Sequence, residues 1–205
     1  LQVRCRNLKM RGTEMLDFDK YPIFCQNRGR LRELSRDGSG AEDCYVTESG
    51  IEAVDFDGVK RAYTRELGLS DESAASVDAL IFHGGRVVFI EFKNGKVVNR
   101  DIKSKIRDSL LIFCDIVSKS ISDTRREADF VLVYNFDKNP LPNQLTGGMV
   151  QESPSREEIA KYFLKKGGSE LIRFDLEKYK SLYFRELHTY TKEEFERYLD
   201  KKVRQ

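Results

Sequence analysis

Two apolar runs near the middle of the chain, residues 77–82 and 86–93, have the length and the β-branched content of neighbouring strands. A His-Gly-Gly sequence lies between them and is typical of a tight hairpin turn, because glycine readily adopts the positive φ angles such a turn requires. If the two glycines form the turn, opposed residues have numbers that sum to 169. This register predicts that Asp78 faces Glu91 across the hairpin.

The next segment has a helical pattern and predicts a long helix over residues 99–118. Its apolar residues recur at spacings of three and four: Ile102, Ile106, Leu110, Phe113 and Val117. Asn99 is a favourable N-cap for this helix because its side chain can accept from a free backbone N–H group. A buried strand is predicted after it, over residues 129–135.

The remaining elements are shorter. Helices are predicted over 28–36, 58–67, 155–166 and 191–202, extended segments over 171–176 and 181–189, and loops over 68–76 and 140–148. Capping boxes support the last two helices, with Ser155 and Glu158 in one and Thr191 and Glu194 in the other. This order of elements indicates an α/β (α+β) protein with a mixed central sheet flanked by helices.

The predicted hairpin brings charged residues together. Asp78 and Glu91 oppose each other, and Lys93 lies on the same face because side chains alternate along a strand. Two carboxylates this close repel each other, so one of them would ordinarily take up a proton. Mg²⁺ or Mn²⁺ removes that conflict because both ions prefer oxygen ligands.

A purely structural alternative is that Lys93 pairs with one of the acids on a solvent-facing sheet. The neighbouring residues of that face argue against this alternative. They are Leu80, Phe82, Val87 and Phe89, all apolar. The face is therefore predicted to be covered by other parts of the chain.

The sequence around Asp78, Glu91-x-Lys93 and the following helix resembles the PD-(D/E)XK nuclease superfamily, which includes many restriction endonucleases and Holliday-junction resolvases. The resemblance implies a restriction-endonuclease-like core over about residues 48–136. Residues 150–205 would then be a small C-terminal α/β extension packed on that core, within a single domain 1–205.

The resemblance also implies roles for individual residues. Asp78, Glu91 and the backbone carbonyl of Phe92 would bind Mg²⁺ or Mn²⁺, and Lys93 would orient or activate the attacking water. An acid from an upstream helix often completes such a site; Glu66 is the first choice here, with Glu52 and Glu48 as alternatives.

The chain departs from the pattern of the superfamily at two places. Val77 stands where the motif has proline. The αβββαβ core also requires a strand before the hairpin, which the sequence pattern does not locate.

Basic residues after the hairpin form a candidate phosphate-binding surface, which we call the basic stripe. It consists of Lys96, Arg100, Lys103 and Arg107. From Arg100 on, the spacing places them on one face of the predicted helix, opposite its apolar face. Contacts to backbone phosphates are one interpretation, and the solvated face of an ordinary amphipathic helix is the other.

Composition narrows the class of protein. Hydrophobic residues make up 40% of the 205 residues and charged residues 34%, which is typical of a globular chain. No apolar stretch is long enough to span a membrane, and the charged first twenty residues do not resemble a signal peptide, so a cytoplasmic location is expected. Four scattered cysteines, Cys5, Cys25, Cys44 and Cys114, are expected to be buried free thiols, and no zinc site is expected.

The distribution of charge along the chain also bears on the class of function. The net charge is +2, but residues 37–78 carry −8 between segments 1–36 and 79–119, which carry +5 and +4. An acidic block between basic ones suits a metal site beside phosphate-binding surfaces, and it equally suits mixed solvated faces.

The function expected from the sequence is therefore divalent-metal-dependent hydrolysis of phosphodiester bonds in nucleic acid, with DNA the expected substrate. Cutting both strands would favour a homodimer. The alternative is a catalytically silent module of the same fold that binds nucleic acid or a protein partner.

Overall fold

A computed structural model of the chain describes residues 18–37, 44–140 and 171–202. Its strands, in chain order, are β1 (Arg28–Arg30), β2 (Arg36–Asp37), β3 (Cys44–Tyr45), β4 (Glu52–Asp55), β5 (Ala79–His83), β6 (Arg86–Lys93), β7 (Ala128–Tyr134) and β8 (Glu186–Tyr190). Its α-helices are α1 (Pro22–Gln26), α2 (Leu31–Leu34), α3 (Phe56–Glu66), α4 (Asn99–Val117), α5 (Ile121–Glu127), α6 (Glu177–Leu182) and α7 (Lys192–Lys202).

Within these residues the main sheet has six strands in the order β1-β4-β5-β6-β7-β8, and β2 pairs with β3 in a separate ribbon. Pairing is antiparallel from β1 to β6 and parallel from β6 to β8. The predicted mixed α/β architecture is therefore confirmed. Strand β4 pairs with β5 of the hairpin, but α3 lies between these two strands in the chain.

Both faces of the sheet are covered. On one face, Leu80 and Phe89 pack with Ile106 and Phe113 of α4, and α3 contributes Val59. On the other face, alternate strand residues pack against α7, and these include Ile90 and Phe92 of β6 beside Phe195 and Leu199 of α7. Because both faces of the sheet are covered, β6 is apolar in nearly every position. Side chains alternate along the strand, and this places Glu91 on the α4 side.

The predicted helix over residues 28–36 is wrong in its first part. Arg28–Arg30 forms an edge strand that pairs with Glu52–Val54, and only Leu31–Leu34 is helical. Gly29 has low helix propensity, and the sheet pairing outweighs the remaining local preference. The predicted helix over 58–67 is confirmed as α3, which begins two residues earlier, where Asp55 accepts from Gly58 N as the N-cap.

Helix α4 agrees with its prediction except at its cap. Val98 occupies the N-cap position and makes no side-chain cap, while Asn99 is already the first helical residue. The helix ends at Ser118, which has a left-handed φ of 53°.

The C-terminal part joins the main sheet through β8. The capping box of Thr191 and Glu194 is confirmed at the start of α7, where each residue's side chain accepts from the other's backbone N–H. Residues 155–166 and most of the predicted loop 140–148 lie outside the described residues.

The extended segments predicted near the C-terminus need correction. Residues 171–176 contain a turn, because Phe174 and Asp175 both adopt left-handed φ angles of 62° and 54° that reverse the chain. In the second segment, the first residues belong to the end of α6, and only Glu186–Tyr190 is strand.

Three cysteines lie in the described residues and all are free thiols. Cys44 is exposed, which corrects the expectation that it is buried, and Cys25 and Cys114 are half-buried. Burial raises the pKa of the Cys114 thiol to about 11. None of the helices in the described part of the chain combines the length and the apolar content needed to cross a bilayer.

Candidate active site

The hairpin that carries the predicted site has the expected register. Leu80 pairs with Phe89 and His83 pairs with Arg86, so paired numbers sum to 169 as predicted. Gly84 and Gly85 have φ angles of 57° and 74°, the conformation of a type I′ turn.

Asp78 lies where the two hairpin strands separate. The last regular pair is Ala79 with Ile90, and beyond it the backbone N–H of Phe92 donates to Asp78 Oδ2 at 2.6 Å. The Asp78 side chain, 18% exposed, thus replaces a backbone acceptor of the ladder. Because the N–H and C=O of one strand residue point to the same neighbour, the Phe92 carbonyl also faces the Asp78 side.

Glu91 is the more buried of the two acids, with a side chain only 2% exposed. Its Oε1 accepts from Lys105 Nζ at 2.7 Å. Its Oε2 is buried and has no hydrogen-bond partner. A buried carboxylate oxygen left unsatisfied is costly, so this atom calls for an explanation other than packing.

Lys105, on α4, was not predicted from the sequence to be part of the site. Its Nζ lies 2.7 Å from Glu91 Oε1 and 3.5 Å from Asp78 Oδ1, so one ammonium group bridges both acids. A signal was present in the helix pattern: Lys105 is three residues after Ile102 and one before Ile106, at the edge of the apolar face. A charged residue in that position faces the sheet more than the solvent.

A second residue that the sequence analysis missed is Asp57, in the first turn of α3. It accepts a short hydrogen bond from the Ser76 hydroxyl. Its charge contributes to raising the pKa values of both Asp78 and Glu91, so it belongs to their electrostatic surroundings.

Three carboxylates and one ammonium group leave the cluster with an excess of negative charge. Burial, opposed by Lys105 and by the Phe92 N–H group, raises the pKa of Asp78 to about 6. Burial and the charge of Asp78 raise the pKa of Glu91 well above its usual range. Burial alone would lower the pKa of Lys105, but the charges of Asp78 and Glu91 raise it.

Lys93 lies two residues beyond Glu91 on β6 and therefore on the same face. It pairs with Tyr134 of β7 and is half-buried. Within residues 18–37, 44–140 and 171–202 its ammonium group has no hydrogen-bond or ion-pair partner. Lys93 therefore shares the face of β6 with Glu91 and makes no ion pair among the described residues, whereas Lys105 is bound to both acids.

The structure does not bring the predicted upstream acids to this cluster. Glu66 is the last residue of α3, nine residues and about 13 Å along the helix from Asp57. It lines a separate surface depression with Tyr63 and Asp115. Of the alternatives, Glu52 pairs with Arg28 and Glu48 with Arg32 at the sheet edge.

The basic stripe is only partly available for phosphate contacts. Lys103 pairs with Asp175 at 2.6 Å, and the Arg107 guanidinium donates to the Lys103 carbonyl of its own helix. Lys96 and Arg100 are exposed. On α4, the stripe residues lie about 140° to 160° around the axis from Lys105, since successive residues rotate by roughly 100°.

The donor set suits a hard divalent cation. Asp78 and Glu91 offer adjacent carboxylates, one of whose oxygens is unused, and the Phe92 carbonyl faces the same side. In the described part of the chain no three His, Cys, Asp or Glu side chains form a metal-binding group. Binding of a divalent cation at this position would therefore depend on two carboxylates and one backbone oxygen.

Comparisons of this chain with protein-family models, with curated proteins and with solved structures find no match.

Proposed function

We propose that the protein is a divalent-metal-dependent hydrolase of phosphodiester bonds in nucleic acid, with DNA as the expected substrate, and that it has a restriction-endonuclease-like fold. The observation that carries this proposal is the pair of adjacent, largely buried carboxylates, Asp78 and Glu91, with an unused oxygen on Glu91. A hydrolytic site of this kind needs two acids that share one cation.

The free-energy cost of burying two neighbouring carboxylates indicates that they are kept for function. Burial disfavours each ionised carboxylate, their mutual repulsion adds to that cost, and one lysine neutralises only part of it. The rest of the covered face is apolar, so a hydrophobic residue at 91 would satisfy the core at lower cost. Strongly perturbed acids of this kind are enriched at active sites.

Each residue has a distinct role in the proposed reaction. Asp78, Glu91 and the Phe92 carbonyl would hold Mg²⁺ or Mn²⁺, which when bound polarises a phosphoryl oxygen and lowers the pKa of a water molecule. Lys93, uncommitted on the same face, donates a hydrogen bond to the attacking water or to a phosphate oxygen and offsets negative charge there. Asp57 has no role assigned beyond its charge.

The positive charges nearest the site in sequence follow directly after Lys93. Lys96 lies in the segment between β6 and α4, and Arg100 lies in the first turn of α4; both are exposed. Lys96 suits a contact to a phosphate beside the reacting one, whereas Arg100 lies about 140° around α4 from Lys105 and so on a different side of the helix. Lys103 already pairs with Asp175 and would contribute less.

Cleavage of plasmid DNA and of labelled single-stranded DNA and RNA, in Mg²⁺ and in Mn²⁺, tests the proposal. EDTA should abolish cleavage, and Glu91→Gln and Lys93→Met should each lower the rate by about a hundredfold or more. Glu177→Gln and Lys180→Met change exposed residues of α6 and serve as matched controls with unchanged rates. Glu66→Gln should also retain activity, in contrast to the sequence-based prediction.

The same preparations distinguish the alternative function. If the wild-type protein retards DNA in a salt-sensitive gel shift but cuts none of the substrates in either metal, the hydrolase proposal is wrong and the module is a nucleic-acid-binding one. If it neither cuts nor binds, both are wrong.

A further inference from the structure

The strongest unexplained feature of the site is that a lysine occupies it. Among the described residues, Lys105 is the one basic side chain within ion-pair distance of Asp78 or Glu91. It is a different residue from Lys93, the lysine that the motif resemblance assigns to catalysis. Lys105 comes from α4 and not from the hairpin, so the resemblance assigns it no role and its presence between the acids needs a separate explanation.

Lys105 contacts one oxygen of each acid, so a cation that binds both acids would lie beside its ammonium group. Its ammonium lies 2.7 Å from Glu91 Oε1 and 3.5 Å from Asp78 Oδ1. A divalent ion bound by both acids would lie close to this ammonium, and the two positive charges would repel each other strongly in a buried site. The ammonium and the metal therefore exclude each other from the space between the acids.

Lys105 is also placed so that its side chain can move away from the two acids. It lies at the edge of the buried face of α4, and its side chain is 29% exposed, whereas Ile102 and Ile106 beside it are 1% exposed. The two isoleucines anchor the helix to the sheet. The flexible lysine side chain can rotate towards solvent without any movement of the helix.

We propose that Lys105 is a resident counter-ion of the site: it offsets part of the negative charge of Asp78 and Glu91 in the metal-free protein and must withdraw before a divalent cation binds. This inference rests on the proposed function, because it needs the two acids to be metal ligands. Lys105 thereby sets the metal affinity and keeps the metal-free protein folded. It is a positioning residue, distinct in role from Lys93.

Calorimetric titration of Mn²⁺ into the metal-free protein tests this competition. Lys105→Met should bind Mn²⁺ about tenfold more tightly than the wild type, a ratio ordinary for coupled sites. Lys119→Met is the matched control, because Lys119 makes an equally short ion pair, with Glu127 at 2.6 Å, away from the site. It should bind Mn²⁺ with unchanged affinity.

The outcomes separate this inference from the proposed function. If the wild type binds Mn²⁺, Glu91→Gln does not, and Lys105→Met binds no more tightly than the wild type, the counter-ion role is wrong and the metal site stands. If neither the wild type nor Lys105→Met binds Mn²⁺, the proposed metal site is wrong, and the counter-ion role with it.

A second measurement uses the unmutated protein and so does not depend on whether Lys105→Met folds. Lysine acylation followed by mass spectrometry should show Lys105 reacting several-fold faster in Mn²⁺ than without metal, because its amine is released from the acids. Lys119 should react at the same rate in both conditions. Unchanged reactivity of Lys105 under conditions where calorimetry shows Mn²⁺ bound would overturn the inference.

Discussion

Two clusters of charged side chains lie on the central sheet, and they differ in how completely their acids are hydrogen-bonded. In the first, Asp78 and Glu91 share Lys105. In the second, between β7 and β8, Asp129 and Glu186 are opposed in register and share Arg185. Both therefore have two acids and one base.

The hydrogen bonds that the acids accept separate the two clusters, although Arg185 Nε of the second is itself buried without a partner. Both oxygens of Asp129 have a donor, since Arg185 donates to one and the Glu186 backbone N–H to the other at 3.1 Å. Glu186 also contacts His188. In the first cluster Glu91 Oε2 has no donor.

The pKa shifts follow this difference. Burial opposes ionisation of Glu186, but Arg185 and His188 hold its pKa below the usual value. Burial dominates for Asp78 and Glu91, and both pKa values are raised. The second cluster is thus organised to stabilise its charges, and the first keeps charges that the fold alone does not favour.

The largest expected effect is in the second cluster. Arg185→Met leaves Asp129 buried without its main counter-charge, and breaking a buried pair in this way typically costs about 3 kcal/mol or more. Urea unfolding should show a loss of this size, and Lys180→Met, which removes an exposed charge, should show almost none. A loss below about 1 kcal/mol would mean that the pair is not structural.

In the first cluster, removing a charge is expected to change the free energy of unfolding in the opposite direction. Asp78→Asn removes a repelled charge and still accepts from Phe92 N–H, so we expect the free energy of unfolding at pH 7.5 to rise by about 2 kcal/mol. The gain is reduced because Lys105 loses a partner. Urea unfolding of the metal-free protein measures it, and a clear loss of stability would contradict the account.

The advantage of Asp78→Asn should depend on pH. Because the pKa of Asp78 is about 6 in the folded protein and ordinarily 3.8, folded Asp78 binds more protons than unfolded Asp78 between those pH values. The wild type therefore loses stability relative to the variant as the pH rises from 4 to 6, by up to about 1 kcal/mol per unit. Unfolding at several pH values should show the two proteins converging near pH 4; a gap independent of pH would refute this cause.

The smallest effect is expected at Asp57. Asp57→Asn keeps an acceptor for Ser76 but removes a charge that acts on both acids, so we expect a gain of about 0.5 kcal/mol at pH 7.5. Thermal unfolding at matched pH measures it. A gain as large as that of Asp78→Asn would mean that Asp57 is a full member of the pair.

The sequence allowed the hairpin and the long helix to be predicted well, because both are determined locally. The Gly84-Gly85 turn fixes the register as far as the Ala79–Ile90 pair, and this brings Asp78 to the side of Glu91. The apolar spacing of α4 likewise predicts its buried face. The proposed roles of these residues remain predictions.

The residues that were missed are brought in by tertiary packing. Asp57 reaches the cluster only because α3 follows β4, a four-residue strand whose pattern is too short to identify. Lys105 was not singled out in the sequence analysis, since its distance from the acids depends on how α4 sits on the sheet. Glu66 was chosen by its type within α3, and it lies at the opposite end of that helix from Asp57.

The most direct test of the central claim is a crystal structure of the protein soaked in Mn²⁺, with anomalous scattering used to locate the metal. We expect a manganese peak coordinated by Asp78 and Glu91, with Lys105 turned away from both. A map in which Lys105 still bridges the two carboxylates and no peak lies beside them, at Mn²⁺ concentrations that support catalysis by such sites, would contradict the account.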